Sequence, residues 1–262
     1  MKKFVIALAL AKFALLSVFG AFALTACQRA SLSAVETAQT LPTATPASVV
    51  NNSNASAAPS ASPLTTADDN INRPRSEPYT GDLSIFEDPK RDENLQITRV
   101  MDILKISEGK SVADIGAGSG WFTVRAARRV GASGKVFAVE INQEYINYIN
   151  DRAKRENFAN IQTVLGTEDN PKLPDTSVDA VLILKTYHEI GEPIKVLKYL
   201  KKSLKPDALV GVIDRNGKGD DHGIDKGKVI AEAKRAGFVL KEEFDFTKAD
   251  GMDYFLVFRA VK

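Results

Sequence analysis

Cysteine and histidine are scarce in this chain, whose 262 residues include one cysteine, Cys27, and two histidines. A disulfide needs two cysteines, and thiolate metal sites and cysteine nucleophiles need a cysteine inside the folded part. Because Cys27 adjoins the N-terminal apolar segment, we expect no disulfide, no thiolate metal site and no cysteine nucleophile in the rest of the chain. His, Asp and Glu residues also lack the spacing of metal ligands, so we expect no metal site.

The chain also lacks an excess of charge of either sign. Its formal net charge is +2, and residues 1–26 hold three lysines and no acidic residue. Without those residues the chain has 32 basic and 33 acidic side chains, a net charge of −1. Nucleic-acid-binding domains generally carry a strongly basic face. The charge balance therefore gives no support to nucleic-acid binding.

Residues 28–78 have almost no aromatic side chains and no apolar periodicity. Ala, Ser, Thr, Pro and Asn dominate this segment. It buries too little apolar surface to offset the entropy of ordering the chain. We therefore expect residues 27–78 to form a disordered tether. Residues 79–262 are long enough to form one α/β domain with a single core.

The N-terminus has the pattern of an export signal, because two lysines precede an apolar segment of signal-peptide length. The sequence Leu24-Thr25-Ala26-Cys27 resembles the lipobox of bacterial lipoproteins, in which cleavage precedes the cysteine and lipid is attached to its thiol. The resemblance implies a signal peptide over residues 1–26 and lipidation of Cys27. It also implies a membrane-anchored domain outside the cytoplasm, in the bacterial cell envelope. An uncleaved anchor helix is the alternative, and it leaves the domain on the same side.

A glycine-rich stretch follows the apolar run Ser111–Ile115, which predicts a buried strand. Gly116, Gly118 and Gly120 precede a helix that begins at Trp121. Glycine has no Cβ, so backbone N–H groups in such a turn can approach a ligand closely. The next apolar run ends in an acidic residue, Glu140. We expect its carboxylate to accept hydrogen bonds from both hydroxyls of a ribose.

The spacing of these residues separates two classes of nucleoside ligand. Dinucleotide sites use G-x-G-x-x-G, whereas this chain has G-x-G-x-G, and a carboxylate at Asp114 would repel a pyrophosphate. Asp-x-Gly-x-Gly-x-Gly with an acidic residue after the next strand resembles the class I S-adenosylmethionine-dependent methyltransferases, whose cofactor is a cation. The resemblance implies that Asp114, Gly116, Gly118 and Gly120 surround the methionine end of S-adenosylmethionine. It implies that Glu140 binds the ribose.

Strands and helices alternate along most of the domain, which predicts a mostly parallel sheet with helices on both faces. The predicted strands are Ser111–Ile115, Lys135–Glu140, Ile161–Leu165, Val178–Lys185, Ala208–Ile213, Phe238–Phe246 and Tyr254–Val261. The predicted helices are Asn94–Ile106, Trp121–Val130, one from Asn142 to about Asn157, Pro193–Leu204 and Lys226–Ala236. The family resemblance implies a Rossmann-like seven-stranded α/β sheet in the order 3-2-1-4-5-7-6, closed by a C-terminal antiparallel hairpin.

Further candidate residues follow the other strands, because ligands of open parallel sheets lie over the carboxyl ends of the strands. After the third strand, the resemblance implies that Glu168 or Asp169 contacts the adenine amino group. After the fourth strand, His188 is a candidate general base for an acceptor hydroxyl or amine, or it shapes the cofactor pocket. Tyr187 is expected to pack on the cofactor. His222 lies in a later loop at the same edge of the sheet and is a further catalytic candidate.

The most favoured function is methyl transfer from S-adenosylmethionine to a small or lipid-like acceptor. This cofactor is made in the cytoplasm, whereas the export signal sends the domain outward. An exported lipoprotein that keeps the binding pocket but transfers no methyl group is therefore the first alternative. A NAD-dependent oxidoreductase is a further alternative.

Overall fold

The computed structural model describes Asp69, residues 71–250, Met252 and residues 254–261. The predicted signal peptide, the predicted lipidation site Cys27 and most of the predicted tether lie outside the described residues. Within these ranges, no helix combines the length and the apolar character that a membrane crossing requires. Residues 71–78, which the sequence pattern assigned to the tether, pack on the domain, where the side chains of Arg73 and Ser76 are buried.

Seven strands form one sheet in the order β3-β2-β1-β4-β5-β7-β6. The strands are β1 (Ser111–Ile115), β2 (Lys135–Glu140), β3 (Ile161–Leu165), β4 (Val178–Leu184), β5 (Leu204–Asp214), β6 (Phe238–Phe244) and β7 (Tyr254–Ala260). Strands β1 to β5 pair in parallel, and β7 pairs antiparallel with both β5 and β6. The predicted strand order and C-terminal hairpin are confirmed.

In the described part of the chain, six α-helices accompany the sheet: α1 (Arg91–Leu95), α2 (Ile97–Ile103), α3 (Trp121–Val130), α4 (Gln143–Arg155), α5 (Pro193–Ser203) and α6 (Lys226–Arg235). Two of them begin with a side-chain cap that the sequence predicts. The side chain of Asn142 accepts a hydrogen bond from the backbone N–H of Glu144 at 2.8 Å, and Asp225 accepts one from Lys228 at 3.1 Å. These caps satisfy backbone donors that have no partner inside the helix.

The predicted helix Asn94–Ile106 is in fact two short helices, α1 and α2. Gln96 separates them in the left-handed conformation, with φ at 50°. Leu95 and Ile97 are both buried. In a continuous helix, residues two positions apart point to nearly opposite sides. The break therefore lets both side chains enter the core.

Strand β5 begins four residues earlier than the sequence predicts, at Leu204. Leu204 pairs with Val178 of β4. Lys205 Nζ lies 2.7 Å from a carboxylate oxygen of Asp179, which strengthens this start of the strand. At the other end of the domain, β6 stops at Phe244, and a single 3-10 turn, Phe246–Asp250, leads toward β7.

Apolar side chains cover both faces of the sheet. In β1, Ala113 and Ile115 contribute to the cluster on one face, and Val112 contributes to the cluster on the other. Strand β4 is buried along nearly its whole length, as expected for a central strand covered on both faces. Ile115 is in register with Val139 of β2 and Ile183 of β4. The segments that follow these three strands therefore meet at one edge of the sheet.

Gly134 closes the turn between α3 and β2, where there is no room for a side chain. A Cβ at this position would lie 2.4 Å from Val130 Cβ and 2.6 Å from the backbone oxygen of Lys110. We expect Gly134→Ala to lower the free energy of unfolding by about 1–3 kcal/mol, the usual cost of overpacking. Urea denaturation measures this change, and Ser133→Ala at the exposed neighbouring position is the control. An unfolding free energy equal to that of the wild type would contradict the expected clash.

Candidate active site

A cavity of about 570 Å³ lies at the carboxyl ends of the parallel strands. Its lining draws on the end of, or the segment after, each of the five parallel strands: Gly116 for β1, Glu140 for β2, Glu168 for β3, His188 for β4 and Arg215 for β5. Cavities of several hundred cubic ångströms are typical of small-molecule sites. The cavity therefore lies at the edge of the sheet where the sequence predicts the ligand.

Gly116, Gly118 and Gly120 all adopt positive φ, at 71°, 54° and 74°. At Gly116, a Cβ would lie 2.3 Å from Thr186 Cγ2, because the turn packs closely against the segment after β4. At Gly118, the nearest atom to a Cβ would belong to the ring of Phe86, at 3.6 Å. Gly116 and Gly118 border the cavity, whereas Gly120 does not and instead stands at the N-terminus of α3.

Glu140 is held beside the glycine turn by three backbone donors. Its Oε2 accepts a hydrogen bond from the N–H of Gly118 at 3.0 Å. Its Oε1 accepts hydrogen bonds from the N–H groups of Ile141 at 2.7 Å and Asn142 at 3.2 Å. An ionised carboxylate has about four lone-pair sites, so Glu140 can accept further hydrogen bonds from ligand hydroxyls in the cavity.

Asp114 is buried near the end of β1 and borders the cavity. Thr123 Oγ1 of α3 donates a hydrogen bond to its Oδ2 at 2.6 Å. Burial, together with the charge of Glu140, raises the pKa of the Asp114 carboxyl to about 7, against the lowering effects of Thr123 and Arg91. A cation in the cavity would favour the ionised form of Asp114.

Trp121 borders the cavity and carries a buried donor without a partner among the described residues. This donor is the Nε1–H of its ring. The guanidinium groups of Arg91 and Arg125 lie 4.6 Å and 4.0 Å from the ring centroid. A buried donor without a partner costs about 1–3 kcal/mol. An acceptor atom of a ligand would remove this cost.

The two acidic candidates after β3 differ in position. Glu168 borders the cavity, and its side chain is 61% exposed. Its Oε2 lies 3.7 Å from a guanidinium nitrogen of Arg75. Asp169 does not border the cavity, and its Oδ1 accepts a hydrogen bond from Thr167 Oγ1 at 2.8 Å. Glu168 is therefore the better placed of the two for contact with a ligand.

His188 borders the cavity in a single 3-10 turn, Tyr187–Glu189, that follows β4. Its Nδ1 lies 2.9 Å and 3.0 Å from the two carboxylate oxygens of Asp214, the last residue of β5. Asp214 is fully buried and also accepts hydrogen bonds from the backbone N–H groups of His188 and Arg215. These contacts form a histidine–carboxylate pair at the wall of the cavity.

Tyr187 does not border the cavity, contrary to its expected packing on a cofactor. Its side chain is fully buried, and its hydroxyl donates a hydrogen bond to Glu232 Oε2 at 2.9 Å. Arg73 Nε lies 3.0 Å from Glu232 Oε1, and Arg73 Nη2 donates to the backbone oxygen of Tyr187. Neighbouring side chains in a tight turn point in different directions. Because His188 borders the cavity, the side chain of Tyr187 points into the core.

His222 borders the same cavity from the loop between β5 and α6. The rings of His222 and His188 are perpendicular, with centroids 6.0 Å apart. Ser76 links the two segments, because its Oγ accepts a hydrogen bond from the N–H of His222 at 3.0 Å. Its own N–H donates to the backbone oxygen of His188 at 3.2 Å. Both histidines therefore stand on one wall, held by the segment 71–78.

Part of the lining was absent from the sequence-based candidates. One group precedes β1 and consists of Arg75, Pro78, Tyr79, Ile85 and Phe86. No periodic pattern marks this irregular segment, so the sequence carried no signal for it. Glu189, which borders the cavity, and Asp214, which contacts His188, were assigned no role from the sequence. A signal was available, since Asp214 directly follows a predicted apolar run and Glu189 adjoins His188 in the loop after another.

The raised pKa of Asp114 predicts a pH dependence of stability. The folded protein keeps a proton on this carboxyl up to about pH 7, whereas the ordinary pKa of an aspartate side chain is 3.8. The contribution of Asp114 to stability therefore falls as the pH rises between these values. Asp114→Asn removes this titration and keeps an acceptor for Thr123. The difference in unfolding free energy, Asp114→Asn minus wild type, should therefore increase with pH. We expect this difference to be larger at about pH 8 than at about pH 4, by on the order of a few kcal/mol.

Urea denaturation at several pH values measures this difference. Asp151→Asn, at a largely exposed position on α4, is the matched control, and its difference from wild type should stay constant with pH. A constant difference for Asp114→Asn would contradict the raised pKa.

Comparison with known proteins relates this chain to methyltransferases. Residues 112–207 match the model of a family described as "Methyltransferase domain". A demethylmenaquinone methyltransferase from Lactobacillus johnsonii is 30% identical over 112 residues, which is 42% of this chain and 46% of the relative. A protein-L-isoaspartate O-methyltransferase from Methanococcoides burtonii is 30% identical over 95 residues, 36% of this chain and 46% of the relative. The chain spans about half the length of the curated relatives that it matches.

A solved structure agrees over a larger part of the chain. The crystal structure of an S-adenosylmethionine-dependent methyltransferase from Aquifex aeolicus has a TM-score of 0.62 and 26% sequence identity, and the match covers 70% of this chain and 100% of that one. The glycine turn between β1 and α3, the acidic end of β2 and the strand order all agree with this likeness. The chain is therefore similar to a methyltransferase domain in sequence over residues 112–207, and to an S-adenosylmethionine-dependent methyltransferase in structure over 70% of its length.

Proposed function

We propose that this protein binds S-adenosylmethionine and transfers its methyl group to a small or lipid-like acceptor. One observation carries the proposal: the glycine turn, Asp114 and Glu140 border the same cavity at the carboxyl edge of the sheet. The relatives named above are all methyltransferases. This favours methyl transfer over the oxidoreductase alternative and over a binding protein without activity.

The residues present fit the cofactor. Glycine backbone at Gly116 and Gly118 leaves space for close approach, and Asp114 favours a positively charged group. Glu140 offers lone pairs to the ribose hydroxyls, and Glu168 is placed to meet the adenine amino group. The cofactor supplies a methyl group activated by attachment to a positively charged sulfur.

The unpartnered Nε1–H of Trp121 also supports a polar ligand in this cavity, because an acceptor atom there would satisfy a buried donor. Trp121 belongs to a largely apolar wall, together with Tyr79 and Phe86, whose rings meet edge to face at 5.5 Å. Methyl transfer depends mainly on alignment of the reacting atoms and on exclusion of water. An apolar wall beside the glycine turn serves both requirements.

Apolar residues at the cavity favour a lipid-like acceptor within the proposed range. Ile85 and Ile141 border the cavity and are 59% and 40% exposed. Exposed apolar side chains beside a pocket suit an acceptor that carries its own apolar surface. One relative is named for demethylmenaquinone, which makes a lipid-like acceptor a reasonable class for this chain.

We further propose that the protein is a lipoprotein of the bacterial cell envelope, anchored to a membrane through Cys27, with its domain outside the cytoplasm. The support is the sequence pattern of residues 1–26 and the lipobox-like tetrad that ends in Cys27. Stable anchoring takes two or more acyl chains, whereas one chain binds only marginally. Such an anchor would keep the domain close to lipid-like acceptors in the bilayer.

Calorimetric titration with S-adenosylmethionine tests the proposed cofactor. We expect saturable binding, and we expect Glu140→Ala to weaken it by about 10- to 100-fold, because hydrogen bonds to a charged group contribute about 1.5–3 kcal/mol. Glu144→Ala, at an exposed glutamate on the neighbouring α4, is the matched control and should leave the affinity unchanged. Binding of NAD in place of S-adenosylmethionine would reject the proposal.

Metabolic labelling with radioactive palmitate tests the anchor. We expect the wild-type protein to incorporate label and to sediment with membranes, because acyl chains on Cys27 partition into the bilayer. Cys27→Ser removes the acceptor thiol, so this variant should incorporate no label. A second Cys27→Ser protein, made without residues 1–26, measures the background incorporation of label. Equal labelling of wild type and Cys27→Ser would refute lipidation at this residue.

A further inference from the structure

His188 lies between two carboxyl groups. Asp214 approaches its Nδ1 at 2.9 Å and 3.0 Å, and Glu189 Oε1 lies 3.9 Å from its Nε2. The ring of His222 meets that of His188 edge to face. His188, Glu189 and His222 border the cavity, whereas Asp214 is fully buried. The cluster is thus open to a ligand on one side and closed on the other.

The contact with Asp214 determines which ring nitrogen of His188 carries the proton. An ionised carboxylate can only accept hydrogen bonds, so Nδ1 must be the donor. In the neutral imidazole, Nε2 then has no proton and keeps a free lone pair. Two backbone N–H groups, of His188 and Arg215, also hold the Asp214 carboxylate, so its position does not depend on the histidine alone.

Glu189 faces the other ring nitrogen. Burial raises the pKa of its carboxyl to about 7, against the lowering effects of His188 and of a hydrogen bond from the backbone of Tyr79. The charges of Glu140 and Asp214 also contribute to this raised value. Glu189 can therefore take up and release a proton near neutral pH, next to the nitrogen that has a free lone pair.

On the basis of the proposed function, we propose that Nε2 of His188 accepts a proton from the methyl acceptor and that Asp214 is the positioning residue that fixes the tautomer of His188. The acceptor is then a neutral hydroxyl or amine compound. A carboxylate acceptor already carries the negative charge and needs no base. It would also be repelled by Glu189 and Glu140 at the cavity.

The proton balance of the reaction agrees with these roles. As the new bond to carbon forms at the acceptor oxygen or nitrogen, the O–H or N–H bond breaks and its electron pair stays on that atom. Nε2 takes the proton, and the resulting imidazolium lies between Asp214 and Glu189. The carbon–sulfur bond breaks with its electron pair on sulfur, which loses its positive charge. Glu189 then passes the proton from His188 to solvent.

Nuclear magnetic resonance of the histidine side chains in the full chain tests the tautomer, and only two histidines contribute signals. His222→Gln assigns them. At mildly alkaline pH we expect wild-type His188 to carry its proton on Nδ1. We expect Asp214→Asn to lower the ratio of the tautomer protonated on Nδ1 to the tautomer protonated on Nε2 by about tenfold. This corresponds to a loss of about 1.4 kcal/mol in the preference for Nδ1. Glu189→Gln removes a carboxyl that faces Nε2 at the longer distance of 3.9 Å, so it should change this ratio by less than Asp214→Asn does and in the opposite direction.

A proton on Nε2 in the wild type, or an equal effect of Asp214→Asn and Glu189→Gln, would overturn the role of Asp214. Calorimetry on the same variants separates this proposal from the proposed function. We expect Asp214→Asn to bind S-adenosylmethionine within about twofold of wild type, because Asp214 does not border the cavity. Loss of cofactor binding in Asp214→Asn alone would place the pair in the cofactor site and overturn the proposal. Loss in the wild type would instead reject the proposed function.

Phenol and benzoate then test the acceptor class as probes added to the cofactor-saturated protein. We expect phenol to shift the Nε2 resonance of His188 in wild type but not in Asp214→Asn, because phenol donates a hydrogen bond to a free lone pair. Benzoate, which has no proton to give at this pH, should cause no shift. A response to benzoate alone, or to neither compound, would overturn the assignment of a hydroxyl or amine acceptor.

Discussion

The hydrogen bonds of Glu140 connect the two strand ends on which the cavity depends. One carboxylate oxygen binds the turn after β1 at Gly118, and the other binds the start of the segment after β2 at Ile141 and Asn142. Because β1 and β2 are parallel and in register, both segments emerge at the same level. A single side chain therefore fixes the distance between the glycine turn and the carboxyl end of β2.

Carboxyl groups are concentrated at this edge of the sheet. Glu140 and Asp214 end two of the parallel strands, Asp114 is the last residue but one of β1, and Glu189 follows β4. Burial of a charged carboxyl is costly unless it is compensated. Backbone N–H groups compensate Glu140 and Asp214, whereas Asp114 and Glu189 respond with raised pKa values. This edge of the sheet thus combines two carboxylates held by backbone donors with two carboxyl groups of raised pKa.

Local signals predicted the first half of the sheet closely. The predicted ranges Ser111–Ile115, Trp121–Val130 and Lys135–Glu140 coincide with β1, α3 and β2, because apolar runs, glycines and an amphipathic helix mark each boundary. Predictions were less accurate where strand pairing or side-chain packing sets the boundary of a strand or helix. The start of β5 depends on Leu204 meeting Val178, and the break at Gln96 depends on two buried neighbours. Neither contact is visible in a local pattern.

The sequence by itself determined the cofactor half of the site, since Asp114, Gly116, Gly118 and Glu140 lie within one β–α–β unit whose geometry is local. Only the tertiary structure decided the other half. It separated His188 from Tyr187 by their direction in a tight turn, and it brought Asp214 to His188 from a different strand. It also packed residues 71–78 against both histidine segments. The physical reason is that these residues lie far apart along the chain. Strand pairing brings them together, and a local sequence pattern carries no information about such contacts.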